Sequence, residues 1–314
     1  MRLVITPHSD RSEEGLLRPV VEAAKAHPEL RLQAEKFLSP KLDRDLGDLY
    51  WEFYKKFETQ KPDLVLISFD RREMVFIALA AHTLGIPIVH MHAGDLGSEH
   101  PDEVHRGLVS RLAALMLTNG PRSRKNLIAM GEEPWRVVDV GSTALDGIKL
   151  RDSKIVAREY GYDGNAYEIV VYHPDPSSVE NTIAELEQIT DAVCAQDACD
   201  VIWLSPNPDR NREYVERIRA NLDRDDGYII MDSFKSRDDY LSALVGAKLL
   251  IGNSSSFALE APFVTKAKVV WIGNRNRNRE RPDKLRIGAS KRIVEMLASV
   301  DLEKLKKPKK FEVG

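Results

Sequence analysis

A chain of 314 residues is long enough for two domains of ordinary size, each with its own core. Its 43% hydrophobic and 30% charged residues are those of a soluble globular protein, and a formal net charge of −3 gives no global field to draw nucleic acid or an anionic membrane. Only two cysteines, Cys194 and Cys199, are present, in a stretch that reads as helix, which argues against a disulfide scaffold and for a reducing cytoplasm; no apolar run reaches the length of a membrane span.

The chain opens on a strand, Leu3-Val-Ile-Thr6, rather than on a signal peptide, and Gly15 to His27 follows with helical spacing. Leu30 to Leu49 shows no regular pattern, whereas Tyr50 to Thr59 reads as a helix with aromatics on one face. Leu64-Val-Leu-Ile-Ser68, Ile86-Pro-Ile-Val-His90, Leu115-Met-Leu-Thr118 and Val137-Val-Asp-Val140 read as strands with helices between them. Short runs that are apolar on both faces and separated by helices imply a parallel sheet covered on both sides. A polar passage from Asp146 to Ala166 reads as a link. Beyond it the same alternation resumes with Ile169–Tyr172, Val201–Leu204, Tyr228–Met231, Leu249–Ile251 and Val269–Ile272, and the tail after Lys284 is helical in parts and basic from Lys304 to Lys310. The pattern predicts an α/β chain with two doubly wound Rossmann-like domains, 1–150 and 151–285, and a helical tail, 286–314, that packs back on the first domain. Two such domains in tandem are expected to form a cleft, with ligand-binding residues clustered just after the strands.

The strand-end loops carry the candidate chemistry. After the first strand, Arg11 stands before a helix start among Glu13 and Glu14, placed either to meet an anion or simply as part of a solvated charge cluster. Phe69-Asp70-Arg71-Arg72-Glu73 presents Asp70 as an acid/base carboxylate or as a helix N-cap. His90-Met-His92-Ala-Gly-Asp95 places two histidines at i, i+2, with both rings on one face. With no third strong ligand fixed by spacing, proton transfer or sugar binding by His92 and Asp95 is the better use of these residues than a metal site. Pro101-Asp102-Glu103-Val-His105-Arg106 opens a helix to about Leu115; Arg106 either pairs at the surface with Asp102 or Glu103, or holds a carboxylate in its ionised form.

In the second half, His173 after its strand suits a pyrophosphate or serves only as a loop residue, and Asn207, in Ser205-Pro-Asn-Pro-Asp209, suits a nucleoside or a plain Pro-rich turn. Ile251-Gly-Asn-Ser254-Ser255-Ser256-Phe-Ala-Leu-Glu260 runs from strand through tight turn to helix. This is the form of a phosphate site, with Glu260 far enough beyond the serines to accept two ribose hydroxyls, although a merely Ser-capped helix has the same sequence. Arg275, first in a run with Arg277 and Arg279, is suited to bidentate pairing with phosphate or is only solvated.

These loops, in this order, resemble the UDP-N-acetylglucosamine 2-epimerase family from Arg11 to about Arg281. Arg11-Ser-Glu-Glu-Gly-Leu-Leu resembles the family's opening element and Asp70-Arg71-Arg72 its Gly-Asp-Arg segment, with Phe69 in place of glycine. His90-Met-His92-Ala-Gly-Asp95 and Gly252-Asn-Ser-Ser-Ser-Phe-Ala-Leu-Glu-Ala-Pro262 are similar to the hydrolysing, sialic-acid-type branch; the other branch has glutamate at the position of His92. The resemblance implies a glycosyltransferase-B type of fold. It implies UDP held by Ser254, Ser255 and Ser256 at the phosphates, Glu260 at the ribose, and His173 and Arg11 at the pyrophosphate. It places Asp70, Asp102 or Glu103, and Asp95 or His92, as acid/base groups near the sugar. It also implies elimination of UDP to a 2-acetamidoglucal and hydration to N-acetylmannosamine, with no metal or redox cofactor. A non-hydrolysing epimerase or a transferase using a UDP-sugar is the alternative, and a homodimer or tetramer is expected. The chain is shorter than the family norm between His27 and Lys61.

Overall fold

The computed structural model describes residues 2–8, 11–37, 45–68, 70–96, 102–194, 199–207, 209–222, 227–283 and 286–310, and it excludes the side chains of Arg11, Ser12 and Cys194. The chain divides into one unit of residues 1–147 and 280–314 and another of residues 148–279.

The first unit holds strands β1 (Arg2–His8), β2 (Leu30–Lys36), β3 (Leu64–Ser68), β4 (Ile88–Met91), β5 (Leu115–Thr118) and β6 (Val137–Asp139). They form a six-stranded sheet in the order β2-β1-β3-β4-β5-β6. Every pairing is parallel. Alternate residues of one strand feed opposite faces. Val65 and Ile67 pack with Phe53, Phe57, Met74, Ile77 and Val109, while Leu64 and Leu66 pack with Leu17, Val20, Ile293, Val294 and Leu297. The C-terminal helix Ala289–Ser299 thereby completes one face of the first sheet. The buried Asp146 carboxylate accepts from Gly288 N at 2.7 Å and Ser290 N at 2.6 Å, and so caps that helix's start. The polar passage read as a link therefore begins with a residue of the first core.

Strand β2 is the element that the pattern did not announce. It pairs with β1 from Arg2↔Leu30 to His8↔Lys36 at the sheet edge. Arg31, Gln33 and Glu35 along it are at least partly exposed, so burial imposes no apolar run.

The second unit holds β7 (Tyr167–Val171), β8 (Asp200–Leu204), β9 (Tyr228–Met231), β10 (Leu249–Gly252) and β11 (Lys268–Trp271), in a parallel sheet of order β11-β10-β7-β8-β9. Ile169, Val171, Ile202 and Leu250 fill one face, and Val170, Tyr172, Trp203 and Ile251 the other. The helix before β8 spans Val179–Cys194. Cys199 lies beyond it, immediately before the strand, so the two cysteines do not share a helix. Among the described residues, no helix is long and apolar enough to cross a membrane.

In each sheet the strand order reverses beside the unit's first strand, between β1 and β3 and between β7 and β10. Adjacent loops leave such a point in opposite directions and open a crevice at the strands' carboxyl ends. Those loops carry Asp70 in one unit and His173 with Ser254–Ser256 in the other.

Candidate functional site

In the first unit the site is built around Arg106, on the helix Asp102–Leu112, with its side chain only 3% exposed. A buried guanidinium needs acceptors on several sides. It donates to the Asp70 carboxylate, to the Asp95 carbonyl at 2.8 Å and to the His92 carbonyl at 3.5 Å. Its Nη1 also lies 3.7 Å from Asp95 Oδ2. Arg106 thus ties the tip after β3 to the loop after β4. Of the two sequence readings for this residue, the structure has the buried one. The residue at the N-cap of the helix Arg72–Thr83 is Arg71, so Asp70 is not consumed as a cap.

Asp95 is held from a second side by Glu280, whose backbone N–H donates to its Oδ1 at 3.0 Å. The Glu280 carboxylate in turn accepts from the backbone N–H groups of Arg122 and Ser123 at 2.8 and 2.7 Å and from the Ser123 hydroxyl. It thus caps the helix Pro121–Ala129, where a negative charge is favoured. Gly94 (φ +74°) is required here, because a Cβ would lie 2.4 Å from the Ser123 carbonyl.

The two histidines do not share a face as the spacing suggested. β4 ends at Met91 and His92 adopts φ 57°, which breaks the two-residue alternation. His90 Nδ1 meets Ser110 Oγ at 2.9 Å, while His92 Nε2 lies 3.4 Å from Thr143 Oγ1. Asp102 and Glu103 form the first turn of Arg106's own helix, with Asp102 3.6 Å from His105. Phe69 and Pro101 lie outside the described residues, as does the side chain of Arg11, whose backbone begins the helix Arg11–Lys25.

In the second unit Asn253 organises the strand ends. Its amide grips the His173 backbone twice at 2.8 Å, accepting from N–H and donating to C=O. Its own carbonyl accepts from Asn276 Nδ2 at 2.8 Å. Gly252 makes this approach feasible. At φ +131° its backbone passes so close to β7 that a Cβ would lie 2.1 Å from the Val171 carbonyl. His173 Nδ1 accepts from Asn207 N at 3.0 Å, which places the proton of the neutral ring on Nε2.

Ser254 caps the short helix Ser255–Leu259 and accepts from Ser256 N. The Phe257 N–H donates to the Ser254 carbonyl at 3.1 Å, so the first turn is tied back to its cap residue. The hydroxyls of Ser254 and Ser256 lie 2.9 Å apart, and Ser256 meets the Tyr240 hydroxyl at 2.5 Å. The helix is shorter than the sequence suggested. Glu260 stands at a break, closing one helix and opening Ala261–Val264, because Pro262 has no N–H to continue the first. Burial raises the Glu260 carboxyl above its usual range, and Arg237, 3.2 Å from its Oε1, opposes that shift. Arg275 pairs with Asp209 at 3.1 Å.

A model of the family described as UDP-N-acetylglucosamine 2-epimerase matches residues 14–312. The chain belongs to the UDP-N-acetylglucosamine 2-epimerase family. Over 236 residues it is 32% identical to the UDP-N,N'-diacetylbacillosamine 2-epimerase (hydrolyzing) of Legionella pneumophila, covering 74% of this chain and 61% of that protein. It is 31% identical over 236 residues to the GDP/UDP-N,N'-diacetylbacillosamine 2-epimerase (hydrolyzing) of Campylobacter jejuni, covering 73% and 61% respectively. The matches therefore span less than two thirds of these relatives' own length. In fold it is similar to the Methanocaldococcus jannaschii UDP-GlcNAc 2-epimerase in complex with UDP-GlcNAc and UDP, with a TM-score of 0.70 at 18% identity, covering 95% of this chain and 99% of that one. The architecture is α/β, with two doubly wound Rossmann-like units of the glycosyltransferase-B type.

Within this epimerase-family chain, sequence reasoning passed over Arg237, Tyr240, Glu280 and the clamp made by the Asn253 side chain. The Gly252-Asn253 dipeptide signalled a turn but not what its amide would grip. Arg237 and Glu280 carried no local signal, since their partners are brought to them by the fold.

Proposed function

We propose that the chain is a UDP-sugar 2-epimerase of the hydrolysing kind, acting on a UDP-2-acetamido sugar such as UDP-N-acetylglucosamine. Asp70 takes the C2 proton as the C1–O bond breaks, giving a 2-acetamidoglucal and UDP. Water then adds across C1 and C2, with a proton delivered to the opposite face of C2, and releases the free 2-epimeric sugar. For N-acetylglucosamine that product is N-acetylmannosamine.

The observation that carries this reading is the ion pair of Asp70 with buried Arg106 in a chain that matches the family over residues 14–312. A guanidinium in contact favours the charged, proton-accepting carboxylate. The Asp70 side chain is 20% exposed and reachable, whereas that of Asp95 is 0% exposed. We therefore assign Asp95 to holding Arg106 and its loop in place, and Asp102, Glu103 and His92 to proton return. Ser254, Ser255 and Ser256 with His173, Arg11 and Arg275 take the diphosphate that develops charge as it leaves. Glu260 takes the ribose and Asn207 the nucleoside. Hydrolysing activity is supported by the Legionella and Campylobacter relatives, both named as hydrolysing 2-epimerases. The low cysteine content supports a cytoplasmic setting, and light scattering would establish whether the enzyme is the expected dimer or tetramer.

The test is NMR of the purified protein in D2O with UDP-N-acetylglucosamine and, separately, with UDP-N,N'-diacetylbacillosamine. Free 2-epimer carrying deuterium at C2, together with UDP, is the expected result. A UDP-linked epimer would move the chain to the non-hydrolysing branch, and turnover that requires an added acceptor sugar would make it a transferase.

A further inference from the structure

The helix Arg237–Gly246 supports the serine loop and Glu260 together. Arg237 and Tyr240 are one turn apart and share a face. Arg237 reaches Glu260 Oε1 at 3.2 Å, with the two side chains 12% and 9% exposed, and Tyr240 reaches the Ser256 hydroxyl at 2.5 Å. A buried carboxylate without a cation tends to take up a proton. A protonated Glu260 would present one hydroxyl donor and lose acceptor capacity, whereas the ionised group can accept from two neighbouring hydroxyls at once.

We propose that Arg237 is a positioning residue for nucleotide recognition: by pairing with Oε1 it fixes the charge and orientation in which Glu260 accepts the vicinal hydroxyls of a ribose. The inference rests on the ribose assignment made for Glu260 above. Among the described residues, the charged and titratable groups that face Glu260 are Arg237, Arg279 and Tyr240. Removing Arg237 leaves Arg279 as the remaining cation of that set.

The experiment is calorimetric titration of the full chain with UDP and with 2′,3′-dideoxy-UDP, for wild type, Arg237→Met, Arg237→Lys, Glu260→Gln and the Arg237→Met/Glu260→Gln double variant, each checked for folding by circular dichroism. Wild type is expected to prefer UDP. Arg237→Met should lose about tenfold in UDP affinity, the scale of one charged hydrogen bond, with dideoxy-UDP affinity unchanged. Arg237→Lys should recover part of the loss, and the double variant should bind no worse than Glu260→Gln. The acid limb of the UDP affinity profile should move to higher pH in Arg237→Met. Equal losses for both ligands, or a further loss in the double variant, would show that Arg237 acts on the diphosphate or on the fold, and would overturn the proposal. A wild type that binds both ligands equally would remove the ribose assignment and this inference with it. A preference for UDP that survives in Arg237→Met would sink the inference alone.

Discussion

Asp70 illustrates how little local sequence says about a carboxylate's duty. Phe-Asp-Arg-Arg-Glu before a helix fits an N-cap as well as an acid/base group, and what separates the two is a guanidinium that arrives from position 106. Asp70→Asn keeps the shape and removes the proton acceptor. We expect turnover to fall by about 10²–10⁴-fold with UDP affinity unchanged, as followed by product NMR and calorimetry. A parallel loss of UDP affinity would make Asp70 a structural residue. Glu168 is a contrasting acid. It is buried on β7, and burial raises its carboxyl above the ordinary range, against a hydrogen bond from Cys199. The folded state therefore holds that proton more tightly than the unfolded chain. Its contribution to stability is full below the unfolded value and is lost as pH rises through the folded one. Glu168→Gln should raise the melting temperature at neutral pH and give no gain in acid, and a melting curve measured against pH checks both arms.

At the scale of elements, the end of β10 is where backbone geometry shapes the site. Gly252 stands at φ +131° against the Val171 carbonyl, and the next residue clamps His173. Gly252→Ala adds both a conformational penalty and a clash, so we expect a cost of about 1–3 kcal/mol together with a marked loss of UDP affinity. Gly147 is the control: its φ is +68° but nothing lies within 4 Å of an added Cβ. Gly147→Ala should carry the backbone cost alone and leave UDP binding intact. Denaturant melts and calorimetry on the pair separate strain from site damage. Strands β3 to β5 were readable because burial on both faces forces apolar runs. Edge strand β2 was not, because Leu30 alone among its residues is buried, and pairing with β1 rather than composition makes it a strand.

At the scale of the molecule, each unit carries a sheet with a core on either face, but the first is completed by residues distant in sequence. Leu297 is 0% exposed and packs with Val4, Leu17 and Leu66. Arg136 extends the tie by donating to the Lys307 carbonyl at 2.9 Å. Leu297→Ala should cost about 2–5 kcal/mol in the first unit. If the second unit unfolds independently, a proteolysis time course should release a resistant fragment around 148–279 from this variant earlier than from wild type. Simultaneous loss of both units would show that they unfold as one.

The sequence by itself determined that the chain is α/β and that it carries two doubly wound units. Those properties follow from periodicity and turn chemistry, which act over a few residues and are written where they act. It also held the family's motifs in order, from Arg11 to Arg275. Only the tertiary structure decided which charge answers which: Arg106 meets Asp70 and Asp95 rather than serving as a surface partner, His90 and His92 go to different hydroxyls, and Glu280 and Arg237 acquire partners far along the chain. Ion pairs and hydrogen bonds depend on distances that folding sets, and a buried charge takes whichever partner the packing delivers.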